Sequence, residues 1–322
     1  MKSTHKAEVI QVNLKPHTNS ENLSIVQIDG YSVVVSTKDW VEGQLAIHVL
    51  PDSICDASRS EFSFLGEGKI RIKPKKLRGV VSYGLLIPAP KDAIIGEDYA
   101  ERLGIEHYDP EAEIEFSMKS DCVKAPAIHP QALSKYDIDA LLKYNKLFVE
   151  GELVWVTQKI HGSNSRYVYH DGQIYCGSRS QWKKQDEKDL WWQALKNTPS
   201  LEDFIKANPE IVVFGEVYGH VKGYHYGPAK SVRFAAFDIF RGGKFLDAEE
   251  GYNLCCSNDI PTVPWVGLVP YDLEKMKAYS IDKCRWGDYN QNEGIVIKPA
   301  KERWDERLGR VIMKLVNPDF KG

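Results

Sequence analysis

Lys159 occupies a position in the sequence where a lysine could act as a nucleophile. It follows the apolar, strand-like run LVWV and precedes the small pair Gly162-Ser163 and the polar Asn164. An ordinary lysine is protonated at neutral pH and cannot attack phosphorus, so it becomes reactive only where neighbouring cations and partial burial lower its pKa. A lysine at a strand end can also be a surface residue whose ammonium reaches water. The pattern alone does not decide between these alternatives.

The elements that must position this lysine lie within residues 151–322, which mix strand-like and helix-like segments. Strand-like segments are the more numerous, and Asp171-Gly172 predicts a hairpin because this dipeptide tolerates the positive φ angles of a two-residue turn. Helices are predicted in 180–198 and in 200–209, the latter with Ser200 as its N-cap. Because hairpins favour antiparallel pairing, the predicted class is α+β.

Residues 7–90 consist mainly of short strand-like segments. Asp29-Gly30 lies between two β-prone runs and predicts another hairpin. Further strands are expected in 43–54 and in 79–90, where prolines mark their ends. Several short strands without a long helical period favour a small β-barrel, of which the oligonucleotide-binding (OB) type is one candidate.

The residues between these two regions differ in character from both. The segment EDYAERLGI predicts a short helix that ends at Gly104, DPEAEIEF is acidic, and the second half of 129–148 predicts a helix. We therefore predict an OB-like β-barrel domain at 1–95, a connector at 96–145 and a second domain at 146–322.

The composition is that of an ordinary globular protein, with 43% apolar and 27% charged residues. No apolar run approaches the ~20 residues of a membrane-spanning helix, and the N-terminus lacks the apolar stretch of a secretory signal. The six cysteines form no CxxC pair and no zinc-binding pattern. We therefore expect reduced thiols, an intracellular and cytoplasmic location, and no membrane contact.

A local basic patch is compatible with the overall net charge of -3. The segment KIRIKPKKLR (69–78) holds six basic residues and no acid, and its first half alternates basic with apolar residues as a half-buried strand does. Such a row of cations could contact a polyanion, although most charge runs are only solvated surface. The candidates for contact with nucleic acid or pyrophosphate are Lys73, Lys75, Lys76 and Arg78.

Six segments, in the expected order, resemble the motifs of the covalent nucleotidyltransferases, which comprise ATP-dependent RNA and DNA ligases and mRNA capping enzymes. They are KIHGSN (159–164, motif I), SRS (178–180, motif Ia), FGEVYG (214–219, motif III), FAAFDIF (234–240, motif IIIa), EGIVIK (293–298, motif IV) and VIMKLVN (311–317, motif V). The N-terminal stretch resembles the barrel that precedes the catalytic domain in Deinococcus-type RNA ligases. The resemblance implies an antiparallel-sheet-rich nucleotidyltransferase (ATP-grasp-like ligase) domain after the OB-like barrel.

The activity that the resemblance implies is that of an ATP-dependent RNA ligase with Lys159 as its nucleophile. Attack on ATP would expel pyrophosphate and leave a lysyl-AMP phosphoramidate. The adenylate would pass to an RNA 5′-phosphate, and a 3′-hydroxyl would then displace AMP. Lys298 and Lys314, from separate predicted strands, could lower the pKa of Lys159 and hold the α-phosphate.

The resemblance also assigns residues to the nucleotide and to a metal ion. Phe237 would stack on adenine with Val296 beneath it, although core packing is the simpler explanation for Val296. Glu216 and Glu293 are candidates for the ribose and for Mg²⁺ or Mn²⁺, the metal being held through water. The complete cofactor-binding set is Gln158, Lys159, Gly162, Asn164, Arg179, Glu216, Phe237, Asp238, Val296, Lys298 and Lys314.

Two positions depart from the family pattern. Position 161 is His, where many ligases and capping enzymes have Asp; histidine there is familiar in one branch of RNA ligases and argues against a DNA ligase. Motif V usually contains two lysines, but Lys314 is flanked by Ile312 and Val316. One phosphate contact is therefore missing or is supplied elsewhere, for example by the basic segment.

The main alternative is a non-catalytic nucleic-acid-binding protein with a degenerate transferase fold. A DNA ligase of the same superfamily is a further alternative. DNA ligases and GTP-dependent capping enzymes usually carry their OB domain after the transferase domain, and only PDFKG (318–322) follows motif V, which argues against both. The expected partner is RNA or an RNA/DNA nicked duplex, the expected cofactors are ATP and Mg²⁺ or Mn²⁺, and the protein is expected to be a monomer.

Overall fold

The chain divides into two compact units, which are described separately. The computed structural model describes residues 5–108, 121–219, 231–286, 291–306 and 308–320. One unit comprises Met1–Pro110 with Leu142–Asn145, and the other comprises Glu111–Leu141 with Lys146–Gly322. The predicted connector therefore contributes residues to both units, and its acidic segment at 109–116 lies outside the described residues.

The first unit is built from short strands. They are β1 Ala7–Gln11, β2 Leu14–His17, β3 Ser20–Ile28, β4 Tyr31–Ser36, β5 Leu45–Val49, β6 Ser53–Asp56, β7 Lys69–Arg71, β8 Lys75–Leu77, β9 Val80–Ser82, β10 Leu85–Pro88 and β11 Glu106–His107. Within the described part of this unit they form four antiparallel sheets, in the orders β1-β5-β10, β11-β6-β7, β2-β3-β4 and β8-β9, with no closed barrel. Its main core combines apolar side chains of the β1-β5-β10 sheet with Cys55 of β6 and with residues outside the strands, among them Phe62 and Tyr99.

Both hairpins predicted from Asp-Gly pairs are confirmed. Ile28 pairs with Tyr31 across Asp29-Gly30, and Asp29 has a φ of 50°. His170 pairs with Gln173 across Asp171-Gly172, where φ is 47° and 78°. Residues with small or short polar side chains adopt these positive angles at least cost, which is why the sequence specified both turns.

The helix predicted in 97–105 is wrong, because Asp98 forms an isolated bridge with Glu8 of β1 and residues 100–104 form a turn. The amide of Val9 donates to the carbonyl of Glu97, and the amide of Tyr99 donates to that of Ala7. Backbone groups paired with strand β1 cannot also make the bonds of a helix, so only the end at Gly104, with a φ of 61°, has the expected conformation.

The second unit contains two large sheets and six short helices within the described residues. The helices are α1 Pro130–Leu133, α2 Leu141–Tyr144 (which continues into the first unit), α3 Leu190–Lys196, α4 Pro199–Ala207, α5 Ala248–Cys256 and α6 Leu273–Ser280. The helix expected in 180–198 thus begins only at Leu190, where the Asp189 carboxylate caps it. Thr198, not Ser200, occupies the N-cap position of α4, because Pro199 fits the first helical position.

Five strands form one sheet, here called the five-stranded sheet, in the order β12-β24-β21-β13-β20. Six strands form the six-stranded sheet, in the order β16-β15-β14-β17-β18-β19. The strands are β12 Asp139–Ala140, β13 Leu153–Gln158, β14 Ser163–His170, β15 Gln173–Ser178, β16 Trp182–Lys183, β17 Val212–Gly219, β18 Val232–Arg241, β19 Lys244–Phe245, β20 Trp265–Pro270, β21 Gly294–Pro299, β22 Trp304–Asp305, β23 Gly309–Arg310 and β24 Met313–Val316.

The predicted α+β class with antiparallel pairing is confirmed. Every strand pair within the two large sheets is antiparallel except β12–β24, as far as the described residues extend. One face of the six-stranded sheet packs on α3 and α4, where Tyr167, Trp191 and Phe234 are fully buried. None of the described helices is long and apolar enough to span a membrane.

Candidate active site

The segment KIHGSN is the connection between the two large sheets. Strand β13 ends at Gln158 and β14 begins at Ser163. The amide of Lys159 still donates to the carbonyl of Gly294 at 2.8 Å, so Lys159 remains attached to the five-stranded sheet. Ile160 is buried in a cluster with Tyr218 and Ala235 of the six-stranded sheet. The nucleophile candidate therefore lies where the chain passes from one sheet to the other.

The register of the five-stranded sheet brings all three candidate lysines to one face. Val296 pairs with Thr157 on β13 and with Lys314 on β24. Directly opposed residues share a face, and side chains alternate along a strand. Lys298, two residues after Val296, and Lys159, two residues after Thr157, therefore lie on the same face as Lys314.

The six-stranded sheet presents a second set of motif residues on one of its faces. Asn164 pairs with Glu216, and Glu216 pairs with Ala235. Farther along the same strands, Phe214 pairs with Asp238. Asn164, Glu216 and Asp238 thus lie on the face opposite the one that packs on α3 and α4.

Lys298 joins these two faces. Its Nζ donates to the carbonyl of Phe237 at 2.7 Å and to Oδ1 of Asp238 at 2.6 Å. Because Lys298 belongs to one sheet and Asp238 to the other, the two faces with motif residues must oppose each other. The motif residues on these two faces are therefore brought together between the sheets.

Lys159 contacts a carboxylate of motif IV. Its Nζ lies 2.5 Å from Oε1 of Glu293, and Nδ1 of His161 lies 3.2 Å from the other oxygen of the same carboxylate. Burial alone would raise the pKa of Glu293, but Lys159 and His161 lower it to about 2. The Lys159 side chain is 19% exposed, so it is neither sealed in the core nor extended into solvent. The amine must lose a proton and separate from Glu293 before it can attack an electrophile.

Asn164 and Gly162 follow Lys159 closely in the chain and have distinct surroundings. Asn164 is buried, and its Oδ1 has no hydrogen-bond partner among the described residues. A Cβ on Gly162 would lie 2.2 Å from the carbonyl oxygen of Val217 and 2.9 Å from Cγ of Glu216, so only glycine fits at this position. Carboxylate and amide oxygens suit Mg²⁺ or Mn²⁺ with retained water molecules.

Glu216 and Glu293 are the residues that the sequence predicts to lie near a metal ion. Within the described ranges, no three His, Cys, Asp or Glu side chains are grouped so that they could hold a metal ion. Glu216 and Glu293 are both nearly buried, with 9% exposure each. That Glu216 and Glu293 contact Mg²⁺ or Mn²⁺ through water stays a prediction.

Phe237 lies at a β-bulge. Gly215 pairs with Ala236 and the adjacent Phe214 pairs with Asp238, so Phe237 is the extra residue of β18. A bulge reorients the side chain that it carries. Phe237 and Val296 are both half-buried, and the Phe237 ring centroid lies 5.0 Å from that of Tyr136. That these two side chains hold the adenine stays a prediction.

Other candidates have partners within the protein. Nε2 of Gln158 donates to the carbonyl of Lys283 at 2.7 Å, and its Oε1 accepts from the amide of Arg285 at 2.7 Å. Its amide therefore attaches residues 283–285 to the end of β13. Nη1 of Arg179 lies 3.4 Å from Oδ1 of Asp137. The roles of Gln158 and Arg179 toward a nucleotide remain predictions.

The candidates for contact with nucleic acid lie in the first unit. Lys73, Lys75, Lys76 and Arg78 are all exposed. Lys75 and Lys76 belong to β8, and Arg78 is at the tip of the β8–β9 hairpin with a φ of 46°. The amphipathic strand expected at the start of this segment is short, spanning only Lys69–Arg71.

Arg310 and Tyr136 are site residues that the sequence did not indicate. Arg310 donates to both oxygens of Asp238, at 2.7 and 2.9 Å, and the Tyr136 hydroxyl donates to the same carboxylate. Burial alone would raise the pKa of Asp238, but Arg310 and Lys298 hold it well below its usual range. Arg310 lies just before motif V and Tyr136 lies in the predicted connector, so neither belonged to a recognisable motif.

Comparison with known proteins identifies the family. The family model for RNA ligase matches residues 152–316, and a model for an OB-fold domain matches residues 7–89. The chain belongs to the RNA ligase family. The prediction of an N-terminal OB domain followed by an RNA ligase domain is thereby confirmed. The Deinococcus-type assignment remains a prediction.

Solved structures of an RNA ligase from Naegleria gruberi share the fold. An apo form of a mutant has a TM-score of 0.79 at 19% identity, covering 98% of this chain and 96% of that chain. The enzyme with PPi has a TM-score of 0.76 at 20% identity, covering 98% and 97%. A mutant with ATP and Mn has a TM-score of 0.77 at 20% identity, covering 97% and 96%. No curated protein matches this chain.

Proposed function

We propose that this member of the RNA ligase family is an ATP-dependent RNA ligase that joins 3′-hydroxyl and 5′-phosphate ends. The observation that carries the proposal is the placement of Lys159 at the connection between two sheets, on the same face as Lys298 and Lys314 and in contact with Glu293. Family membership and the related structures with ATP and Mn, with AMP and Mn, and with PPi support the same chemistry.

The first step would be adenylylation of Lys159. The deprotonated amine attacks the α-phosphorus of ATP, a P–N bond forms, and the bond to pyrophosphate breaks. Lys298 and Lys314 lie on the face of the sheet that Lys159 shares, where they would oppose the negative charge that develops on the α-phosphate. Mg²⁺ or Mn²⁺ held through water near Glu216 and Glu293 would add positive charge at the phosphates.

The next two steps use the stored energy of the phosphoramidate. The 5′-phosphate of RNA attacks the lysyl-AMP, the P–N bond breaks and the amine of Lys159 is released. The 3′-hydroxyl of the adjoining strand then attacks the adenylylated end and displaces AMP. Phe237 and Val296 would hold the adenine throughout, since both keep part of their surface exposed.

The substrate and setting are part of the same proposal. The OB-fold match and the exposed lysines of the first unit support RNA as the polyanion that is bound. We also propose a nicked RNA/DNA duplex as a substrate. The protein is proposed to be a monomer and to be located in the cytoplasm, as predicted from the sequence.

A sealing assay with defined nicks tests this function. The purified chain is incubated with Mg²⁺ and either ATP or GTP, and with nicks that differ only in the sugar at the 3′-hydroxyl side. We expect sealing with ATP and a ribose 3′-hydroxyl, and none in the Lys159→Ala variant. Equal sealing of deoxyribose ends would indicate a DNA ligase. RNA binding without sealing under any condition would indicate the non-catalytic alternative, and equal use of GTP would contradict the adenine pocket.

A further inference from the structure

Lys298 belongs to a continuous cluster of four charged side chains that have little exposed surface. The other three are Asp238, Arg310 and Glu302. Asp238 is at its centre and accepts hydrogen bonds from Lys298, from Tyr136 and from both terminal nitrogens of Arg310. Arg310 also donates from Nε and Nη2 to the two oxygens of Glu302, at 2.7 and 2.8 Å. The side chains of Lys298, Asp238 and Arg310 are 5%, 2% and 9% exposed.

The geometry of Arg310 determines how Asp238 is oriented. A guanidinium that donates to both oxygens of a carboxylate fixes the plane of that carboxylate, which a single point charge does not. The Arg310 guanidinium is itself fixed by Glu302 and lies over the Phe245 ring at 3.8 Å. The remaining acceptor direction of Oδ1 of Asp238 is then left for Lys298, whose Nζ is 2.6 Å away.

The charges of the four groups balance, because Lys298 and Arg310 are cations and Asp238 and Glu302 are anions. Burial and the nearby Arg310 lower the pKa of Lys298, whereas Asp238 raises it. Arg310 therefore does not favour the charged form of Lys298. Its effect on Lys298 is geometric and passes through Asp238, whose carboxylate both residues contact.

We propose that Arg310 is a positioning residue for adenylylation: by holding both oxygens of Asp238, it fixes the position of the Lys298 side chain that faces the α-phosphate. This inference rests on the proposed function, in which Lys298 faces that phosphate. Arg310 itself would not touch the nucleotide. Replacing a hydrogen-bond partner that orients a functional side chain typically changes activity by about 10- to 100-fold.

The test is a double-mutant cycle in single-turnover lysyl-AMP formation, measured across ATP concentrations. The variants are Arg310→Met, Arg310→Lys, Lys298→Met and the double variant Arg310→Met/Lys298→Met. We expect Arg310→Met to slow adenylylation by about 10- to 100-fold, and Arg310→Lys to recover little because an ammonium cannot hold both carboxylate oxygens. In the Lys298→Met background, Arg310→Met should cause no further loss of rate.

Arg303 provides a matched control. It lies seven positions before Arg310, and its guanidinium contacts both oxygens of Glu152 and the carbonyl of Leu147. Arg303→Met should leave the rate of adenylylation of correctly folded protein unchanged. If Arg310→Met folds and reacts at the wild-type rate, or if its effect multiplies with that of Lys298→Met, the positioning role is wrong. If the wild-type chain forms no lysyl-AMP, the proposed function fails instead.

If Arg310→Met does not fold, Arg310→Lys and Glu302→Gln replace it. Each is combined with Lys298→Met, and the rate of lysyl-AMP formation is measured in the same way. Glu302→Gln keeps the size of the side chain but weakens the hold on Arg310. Its effect on the rate should also disappear in the Lys298→Met background. An effect that persists there would show that the cluster acts only on the stability of the fold.

Discussion

At the scale of single residues, the amine of Lys159 contacts the carboxylate of Glu293, and His161 contacts the other oxygen of the same carboxylate. From the sequence we expected that cations surround Lys159. Residue types and spacing indicate which groups are present, but the partner of a side chain depends on the packing of distant strands. That Lys298 and Lys314 lower the pKa of Lys159 therefore stays a prediction.

The shared carboxylate predicts a dependence of stability on acid. The pKa of Glu293 is lowered from 4.5 to about 2, so its ionised form stabilises the fold fully above pH 4.5 and loses this contribution as the pH falls toward 2. The Glu293→Gln variant should therefore be less stable than the wild type at neutral pH. Its free energy of unfolding should also fall less steeply between pH 5 and pH 3, measured by urea denaturation. The exposed Glu187→Gln variant should keep the wild-type profile, and an identical profile for Glu293→Gln would contradict the buried pairing.

At the scale of elements, the sequence predicted turns better than helices. Asp29-Gly30 and Asp171-Gly172 specify their hairpins locally, since the residue type alone determines the backbone angles. The segment 97–105 was mistaken for a helix because its backbone bonds to β1, which is distant in sequence. The bulge at Phe237 could likewise not be predicted from the sequence, because it depends on how β17 and β18 pair.

The connection between the sheets predicts a strict requirement for glycine at position 162. A Cβ there would lie 2.2 Å from a backbone oxygen, so Gly162→Ala must displace β17 or the connection itself. We expect a loss of about 1–3 kcal/mol in the free energy of unfolding, together with slower adenylylation because Glu216 shifts. Gly251→Ala in helix α5 is the matched control, because a Cβ there would lie 3.9 Å from its nearest neighbour, the amide nitrogen of Ile239. This variant should be neutral or slightly stabilising. Equal behaviour of the two variants in thermal unfolding and labelling would refute the account of this connection.

At the scale of the whole molecule, the order of the two domains could be predicted from the sequence. Whether the strands of the OB-like domain close into a barrel could not. The motifs and short strands predicted an OB-like domain before the ligase domain, which the family matches at 7–89 and 152–316 confirm. The predicted barrel depends on long-range pairing between strands, and the described residues form separate small sheets instead of one closed one. The alternation of apolar and polar residues along a strand indicates which side chains share a face. It does not indicate which strands lie beside it in the sheet.

The exposed lysines of the first unit predict a salt-dependent contribution to RNA binding. Each phosphate contact on a single strand contributes about 0.7 to the slope of log affinity against log salt. Lys75→Ala/Lys76→Ala should therefore weaken RNA binding and reduce that slope by up to about 1.4 if both lysines contact phosphates. Lys15→Ala/Lys38→Ala removes two equally exposed lysines elsewhere in the same unit and should change the slope little. Equal slopes for the two double variants, from titrations at several salt concentrations, would exclude the β8 lysines from the RNA contact.

The central claim is that the amine of Lys159 becomes covalently attached to AMP, and mapping of the adduct tests it most directly. The chain is incubated with Mg²⁺ or Mn²⁺ and ATP labelled in the α-phosphate, then digested and analysed by mass spectrometry. The account predicts one adenylate on the peptide that contains Lys159, and no adduct in the Lys159→Ala variant. The absence of label with either metal, or a label that persists in Lys159→Ala, would contradict it.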